Sequence, residues 1–235
     1  MWRRLARRGL STPGLRLMAP GWPDAGRRIV QAPALAALLG EAVAGAPAVR
    51  VALNAGAGEG LHTGLIRRMT ADARLLEFDM SPPEAVPGVG RFCASLTEIP
   101  LRASSVDLVV CTEVLEHVPD DDGAVAELKR VLSPRGALVL SVPTPPAVAD
   151  PAHVREGYTL PQLTSLFERH GFVVMNARYC MHACFKLVLQ YWKPNRVPLA
   201  AILGLAWLDR LVRPGAPMDL VVLARPRSER GGGPC

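Results

Sequence analysis

The sequence lacks an apolar run long enough to cross a bilayer, a cysteine framework, an internal basic stretch and any repeat, and each absence removes a class of protein. The longest hydrophobic stretch near its end, VPLAAILGLAWL at 197–208, falls short of the roughly 20 residues that a membrane-spanning helix needs. No transmembrane segment is therefore expected. Five cysteines, an odd number in a chain long enough to bury its own core, do not make the disulfide set of a small secreted domain, and a reduced, cytoplasmic setting is expected. The opening MWRRLARRGLST is Arg-rich and free of acids, as transit peptides are, but it has no apolar centre of the secretory kind. It reads as a flexible basic arm.

The formal charge of +6 points to nucleic acid only until it is divided along the chain. Arg3, Arg4, Arg7, Arg8 and Arg16 precede the first acid, Asp24, while Arg225, Arg227 and Arg230 lie in the tail with Glu229. Setting these aside from the 27 basic and 21 acidic residues leaves 19 positives against 20 negatives in the body. A nucleic-acid site needs a basic face to neutralise phosphates, and none is visible, so no nucleic-acid partner is expected. Nor is a metal centre. Cys180, His182 and Cys184 alternate as side chains on one strand do, and a second ligand pair is missing.

What is present suits one α/β domain: 49% hydrophobic and 20% charged residues supply a continuous core. Leu and Ala recur at helical spacing from Ile29 to Val43, and the run stops at Pro47. Strand-like runs then alternate with helical ones: VRVALN, LHTGLIRRM, ARLLEF, GRFCA, VDLVVC, DDGAVAELKRVL and ALVLSV. Continuous apolar strands such as VDLVV belong in a parallel sheet covered on both faces. Asp120 to Asp122 begin the helix through Leu132, which Pro134 and Gly136 are expected to end. A last unit follows, with LPQLTSLFERH as helix, Gly171 as its break and FVVMNARYC as strand, and MDLVVLARP closes the sheet.

The chemistry sits at the first strand. After Asn54 come Gly56, Gly58 and Gly60, which let the backbone turn sharply and approach a ligand at the start of a helix. Asp79 ends the next strand, where such folds place an acceptor beside a ribose; the competing role for Asp79 is a local cap before Ser81 and Pro82. A nicotinamide-dependent oxidoreductase would share these features, but its G-x-G-x-x-G is not met because Gly60 arrives one position early.

Taken together, VALNAGAGEG, LLEFDMSP, LTEIPLRASSVDLVVCTEVLEHV and ELKRVLSPRGALVLSVP resemble, in family order, the core motifs of small-molecule class I S-adenosylmethionine-dependent methyltransferases of the type 11-like kind. HVREGYTLPQLTSLFERHGF is similar to the family segment before the sixth strand, so the likeness covers roughly 49 to 180. It implies a doubly wound, mostly parallel, seven-stranded Rossmann-like sheet with S-adenosyl-L-methionine as cofactor. Gly56 and Gly58 would face its methionine end, Asp79 its ribose, Met80 one face of adenine, Ser95 and Leu96 the adenine edge, and Cys111 and Thr112 its underside. Glu113 and His117 would face the reaction chamber or brace its wall. The sequence departs from the pattern twice, with Asn54 where an acid usually holds the cofactor's ammonium, and Ser95 in the place of an adenine-contacting Asp. On this reading Asn54→Asp should tighten cofactor binding.

The resulting organisation is a basic arm over 1–24, a catalytic domain over 25–226 with a helical lid inserted at 181–217 before the last strand, and a flexible tail at 227–235. Methyl transfer needs an aligned nucleophile and, for a hydroxyl, proton removal. His153, after the turn that follows the fifth strand, is the first candidate base, with a loop histidine that only bonds backbone as the competing role. His117 is the second, with fixing of its loop beside Glu116 as the competing role. Arg155, Tyr158 and Trp192 are candidate substrate contacts, Tyr191 and Trp207 pocket or core residues. The expected reaction is O-methylation of a small hydroxylated molecule, with N- or C-methylation left open and a non-catalytic member of the same fold as the alternative. The flanking Lys193, Arg196, Arg210 and Arg213 leave peripheral membrane contact or a homodimer face open.

Overall fold

The computed structural model describes residues 22–81, 85–147, 150–183, 199–213 and 215–227, with the backbone alone at 22–29 and 199–203. The chain enters in a long helix, α1 (Trp22–Ala44), which starts well before the periodicity beginning at Ile29. Pro23 explains the difference: near a helix start its fixed φ is already helical and its missing N–H costs nothing. The boundary expected at residue 24 thus lies inside a helix.

Then follow β1 (Val51–Ala55), α2 (Thr63–Met69), β2 (Arg74–Asp79), β3 (Val89–Cys93), β4 (Val106–Thr112), a 3-10 turn (Leu115–His117), α3 (Asp121–Val131), β5 (Leu132–Pro143), α4 (Leu160–Arg169), β6 (Phe172–Cys180), α5 (Leu199–Val212) and β7 (Asp219–Pro226). The strands form one sheet in the order β3-β2-β1-β4-β5-β7-β6. β7 runs antiparallel to both β5 and β6, while the pairings among β1 to β5 are parallel. This is the expected doubly wound, mostly parallel sheet. Its order reverses between β1 and β4, so loops leaving their carboxyl ends diverge and open a crevice.

Alternate residues of the central strands bury on opposite faces, as the period of two requires. Leu53, Val109, Leu138 and Leu140 pack with Val125 and Leu128 of α3 and Leu163, Leu166 and Phe167 of α4. Ala52, Leu108, Val110 and Val139 pack with Leu35, Leu38 and Leu39 of α1 and Ile66 of α2.

Local signals explain the helix ends. The Asp120 carboxylate accepts from Gly123 N at 2.9 Å, and Thr159 and Gln162 form a reciprocal capping box at the start of α4. α3 ends at Val131, before Pro134 and Gly136, because the chain passes directly into β5. Gly136 lies within that strand, where a Cβ would stand 2.9 Å from the Asp107 carbonyl. Of the expected insertion, α5 is described, and residues 184–198 lie outside the described residues. Trp207 is 63% exposed rather than core, since the neighbouring Ala206 and Asp209 take the inward face of α5. Among the described residues no helix is long and apolar enough to cross a membrane.

The loop between β3 and β4 is held to α3 by one ion pair. Arg130 Nε donates to Glu127 Oε1 at 2.6 Å and its other nitrogens donate to the Leu101 and Ile99 carbonyls, each at 2.8 Å. Ile99 N donates to Glu127 Oε2 at 2.9 Å. The Arg130 hydrogen bond holds the Glu127 carboxyl below its usual range. A depressed carboxylate pKa contributes stability that is complete above the unfolded value, about 4.3, and is lost as pH falls through the folded one. Glu127→Gln should therefore flatten the fall of Tm below about pH 4.3, measured by thermal denaturation against pH; an unchanged acid limb would show that the pair carries no net stability.

Candidate active site

The glycine turn follows β1 with positive φ at Gly56 (+68°), Gly58 (+51°) and Gly60 (+78°), a conformation that side chains with a Cβ resist. Two of these glycines also answer to packing. A Cβ at Gly56 would lie 2.3 Å from Val114 Cγ2, and one at Gly60 would lie 2.8 Å from both Arg91 Nη2 and Thr63 Oγ1. Gly58 alone faces open space, with nothing within 4 Å of its would-be Cβ, so a ligand can come against bare backbone there.

The ends of β2 and β3 complete this cradle. Asp79 Oδ2 accepts from Gly58 N at 2.9 Å across the strands, while Oδ1 accepts from Ser81 N at 3.1 Å, the local capping contact. Ala94 N donates to the Asp79 carbonyl at 3.2 Å and the Cys93 thiol to the Met80 carbonyl at 3.0 Å. The Met80 side chain, 77% exposed, stands free beside the carboxylate. Ser95 Oγ accepts from Thr97 N at 3.2 Å, and Leu96 is buried. A carboxylate, an exposed apolar arm and open backbone thus converge, a set that suits a ribose, a flat ring and a charged tail.

Asn54 lies elsewhere. It is buried, and its amide donates to Glu77 Oε1 at 3.0 Å. Glu77, 1% exposed in the middle of β2, also accepts from Thr63 Oγ1 and from Arg91 Nε at 2.9 Å, with Arg91 Nη2 2.7 Å from Oε2. The acid missing from the end of β1 has a counterpart one strand over. Sequence reasoning passed over Glu77, although a charge inside the apolar run LLEF is the signal that marks it.

At the end of β4 the assignments divide. Cys111 has no exposed surface and sits in the core; burial, with Glu116 and Glu113 nearby, pushes its thiol far up. Its side chain is therefore not a ligand contact, a correction that follows from the inward alternation of β4. Thr112 is half-buried. Glu113 turns with φ +55° into a polar network with α1. Gln31 Nε2 donates to Glu113 Oε1 (3.3 Å), Ser141 Oγ (2.9 Å) and Asp219 Oδ2 (2.7 Å). Ser141 Oγ also donates to Glu113 at 2.8 Å, and His62 Nε2 meets Gln31 Oε1 at 2.9 Å.

Beyond Glu113, two loops carry Glu116, His117 and His153 together. Glu116 is fully buried, and its Oε1 lies 3.9 Å from His117 Nε2. The His117 and His153 rings meet edge to face, with centroids 4.6 Å apart. Arg155 and Tyr158, expected at the substrate, instead clamp these loops. Arg155 donates to the Leu115, Val118 and Pro119 carbonyls at 3.0, 2.8 and 3.0 Å and to Tyr158 Oη at 2.8 Å. Tyr158 Oη donates to Asp121 Oδ2 at 2.7 Å, and burial, helped by that carboxylate, pushes the phenol well up. A guanidinium with loop carbonyls in reach binds them before any ligand arrives.

Trp192, Tyr191 and Cys184 lie outside the described residues. Cys180 donates to Asp219 Oδ2 at 3.4 Å, and His182 N donates to Asp209 Oδ2 at 2.7 Å, so these two serve separate buried carboxylates. A groove of about 800 Å³ between α1, β6 and α5, lined in part by Val30, Tyr179, Met181 and Trp207, includes none of the residues of the glycine turn.

Residues 53–140 match the family model described as a methyltransferase domain. A Mycolicibacterium smegmatis protein, "Probable S-adenosylmethionine-dependent methyltransferase", is 34% identical over 57% of this chain and 56% of its own length. A Mycobacterium tuberculosis protein of the same description is 35% identical over 53% and 49%. The chain thus spans about half the length of the curated relatives it matches. In fold it is similar to a Burkholderia thailandensis 1,6-didemethyltoxoflavin-N1-methyltransferase solved with S-adenosylhomocysteine, at TM-score 0.57 and 18% identity over 83% of this chain and 79% of that one.

The placement of Asn54 reverses the expectation attached to it. Asn54→Asp would put a second carboxylate 3.0 Å from Glu77 inside the protein, and the pair cannot both ionise without cost. The variant should lose about 1–3 kcal/mol at neutral pH, with the loss relieved as pH falls and one carboxyl takes up its proton. Denaturant unfolding at pH 7 and pH 5 checks this; a variant as stable as the parent at pH 7 would break the Glu77 account.

Proposed function

We propose that this chain, which carries a methyltransferase domain of the S-adenosylmethionine-dependent class at residues 53–140, transfers the cofactor's methyl group to a hydroxyl of a small molecule. S-adenosylmethionine, when bound, would supply an electrophilic methyl on a sulfonium, open to in-line attack by the acceptor oxygen with S-adenosylhomocysteine as the leaving group. The residues fit that cofactor. Gly58 offers backbone in open space for the methionine end, the Asp79 carboxylate can exchange the Gly58 N–H for ribose hydroxyls, and exposed Met80 can lie on the adenine, with Ser95 and Leu96 at its edge. Asp79 beside the open Gly58 is the single observation that carries the reading. Asn54 serves it indirectly, by keeping the Glu77 cluster together under the turn.

The acceptor side is the group of Glu116, His117 and His153. The His153 side chain is only 6% exposed and the His117 side chain 36%, so an acceptor reaches the two imidazoles as one unit, through His117. Buried carboxylate and imidazoles beside the crevice favour an acceptor that brings a polarised O–H. Glu113 is held by Gln31 and Ser141 and acts as a wall of the crevice and not as a proton carrier.

Calorimetry on the purified chain should give binding of S-adenosylmethionine and S-adenosylhomocysteine and none of NADH. Asp79→Asn should weaken S-adenosylhomocysteine by about tenfold, the scale of a charge-assisted bond made neutral. Failure of both sulfur compounds to bind would sink the reading; binding without methyl release to any hydroxylated acceptor would leave a non-catalytic member of the fold.

A further inference from the structure

We infer that Glu116, His117 and His153 form a binding site for one divalent cation of the borderline kind, such as Zn²⁺ or Co²⁺. One ligand atom from each of the three lies within 4.8 Å of the others. Donors bound to a common cation at about 2.0–2.2 Å stand roughly 3–3.5 Å apart, so small side-chain rotations close the set. Two imidazoles with one carboxylate select these ions over Mg²⁺ or Ca²⁺, which prefer oxygen.

Three further observations support a built site. His117 Nδ1 stands 3.0 Å from the Ala152 carbonyl; an N–H there donates to that oxygen, and the lone pair is left on Nε2, which faces Glu116. This is the outer contact that orients metal-bound histidines. Glu116 has no exposed surface, and a buried carboxylate gains most from a compact positive charge. The ligand-bearing loops are also fixed to each other. Val154 N donates to the Glu116 carbonyl at 3.0 Å, and Arg155 ties the following residue's segment to Leu115, Val118 and Pro119. Ligands held in place before binding are what a metal site needs.

Three protein ligands leave positions open on the cation, reached from the exposed side of His117. There it holds and orients an oxygen of the acceptor. This second statement rests on the transfer reading; cation binding does not.

The test uses the tag-free chain, stripped with chelator and titrated with Co²⁺ and Zn²⁺. The expected result is one equivalent bound, visible as Co²⁺ ligand-field bands that Zn²⁺ displaces. His117→Ala, His153→Ala and Glu116→Gln should each weaken binding at least tenfold, with circular dichroism confirming that His117→Ala, the most exposed of the three, keeps its fold. His170→Ala, on the far end of α4, should bind as the parent does. No stoichiometric cation in the parent, or unchanged binding in a folded His117→Ala, overturns the proposal. S-adenosylhomocysteine calorimetry on the stripped protein separates the two readings. Cofactor binding without cation binding removes the metal site alone, and the converse removes the transfer reading alone.

Discussion

The crevice depends on a charge buried in the sheet. The Glu77 carboxylate sits in the middle of β2 and is satisfied by Asn54 from β1, Thr63 at the start of α2 and Arg91 from β3. An unpaired carboxylate there would cost several kcal/mol, so the four groups form together or not at all. Their arrangement dictates the turn above them. The Arg91 guanidinium and the Thr63 hydroxyl fill the space that a side chain at residue 60 would need, which leaves Gly60 no alternative. Gly56 makes way for Val114 in the same manner. Gly58 is then the point at which bare backbone faces outward, and Asp79 already touches its N–H.

A second polar network performs the same task on the other side of the topological switch. Gln31 reaches from α1 to Glu113, Ser141 and Asp219, at the ends of β4, β5 and β7. A single amide thereby pins the covering helix across three strands. It also explains why Glu113 can adopt its left-handed backbone: the hydrogen bonds of its side chain hold it there against the strain. The wall of the crevice is thus tied to the sheet from beneath, and the Arg155 clamp ties the two loops above it. Between these restraints the Glu116, His117 and His153 group is presented on fixed elements.

Much of this was legible in the residues. The alternation of apolar strands and amphipathic helices indicated the doubly wound sheet, because a parallel strand covered on both faces must be apolar throughout. The glycines and Asp79 marked the crevice at the ends of β1 and β2, because positive φ and a carboxylate at a strand end are local requirements. The beginning of α1 at Trp22 was hidden, since Pro23 reads as a breaker until it is placed in a first turn. Arg155 and Tyr158 read as substrate contacts because polar residues near an active-site loop look alike, whether they meet a ligand or the protein's own carbonyls.

The sequence by itself therefore determined the fold class, the family resemblance and the strand ends that border the crevice, all of which follow from short-range patterns of hydrophobicity and backbone freedom. Only the tertiary structure decided which polar side chains face one another. Asn54 and Glu77 are far apart in the chain but adjacent in register across β1 and β2, and His117 and His153 meet only because β4 and β5 lie side by side. A carboxylate's partners are set by distance through space, which falls steeply with each ångström, and that distance is not written in the order of the residues.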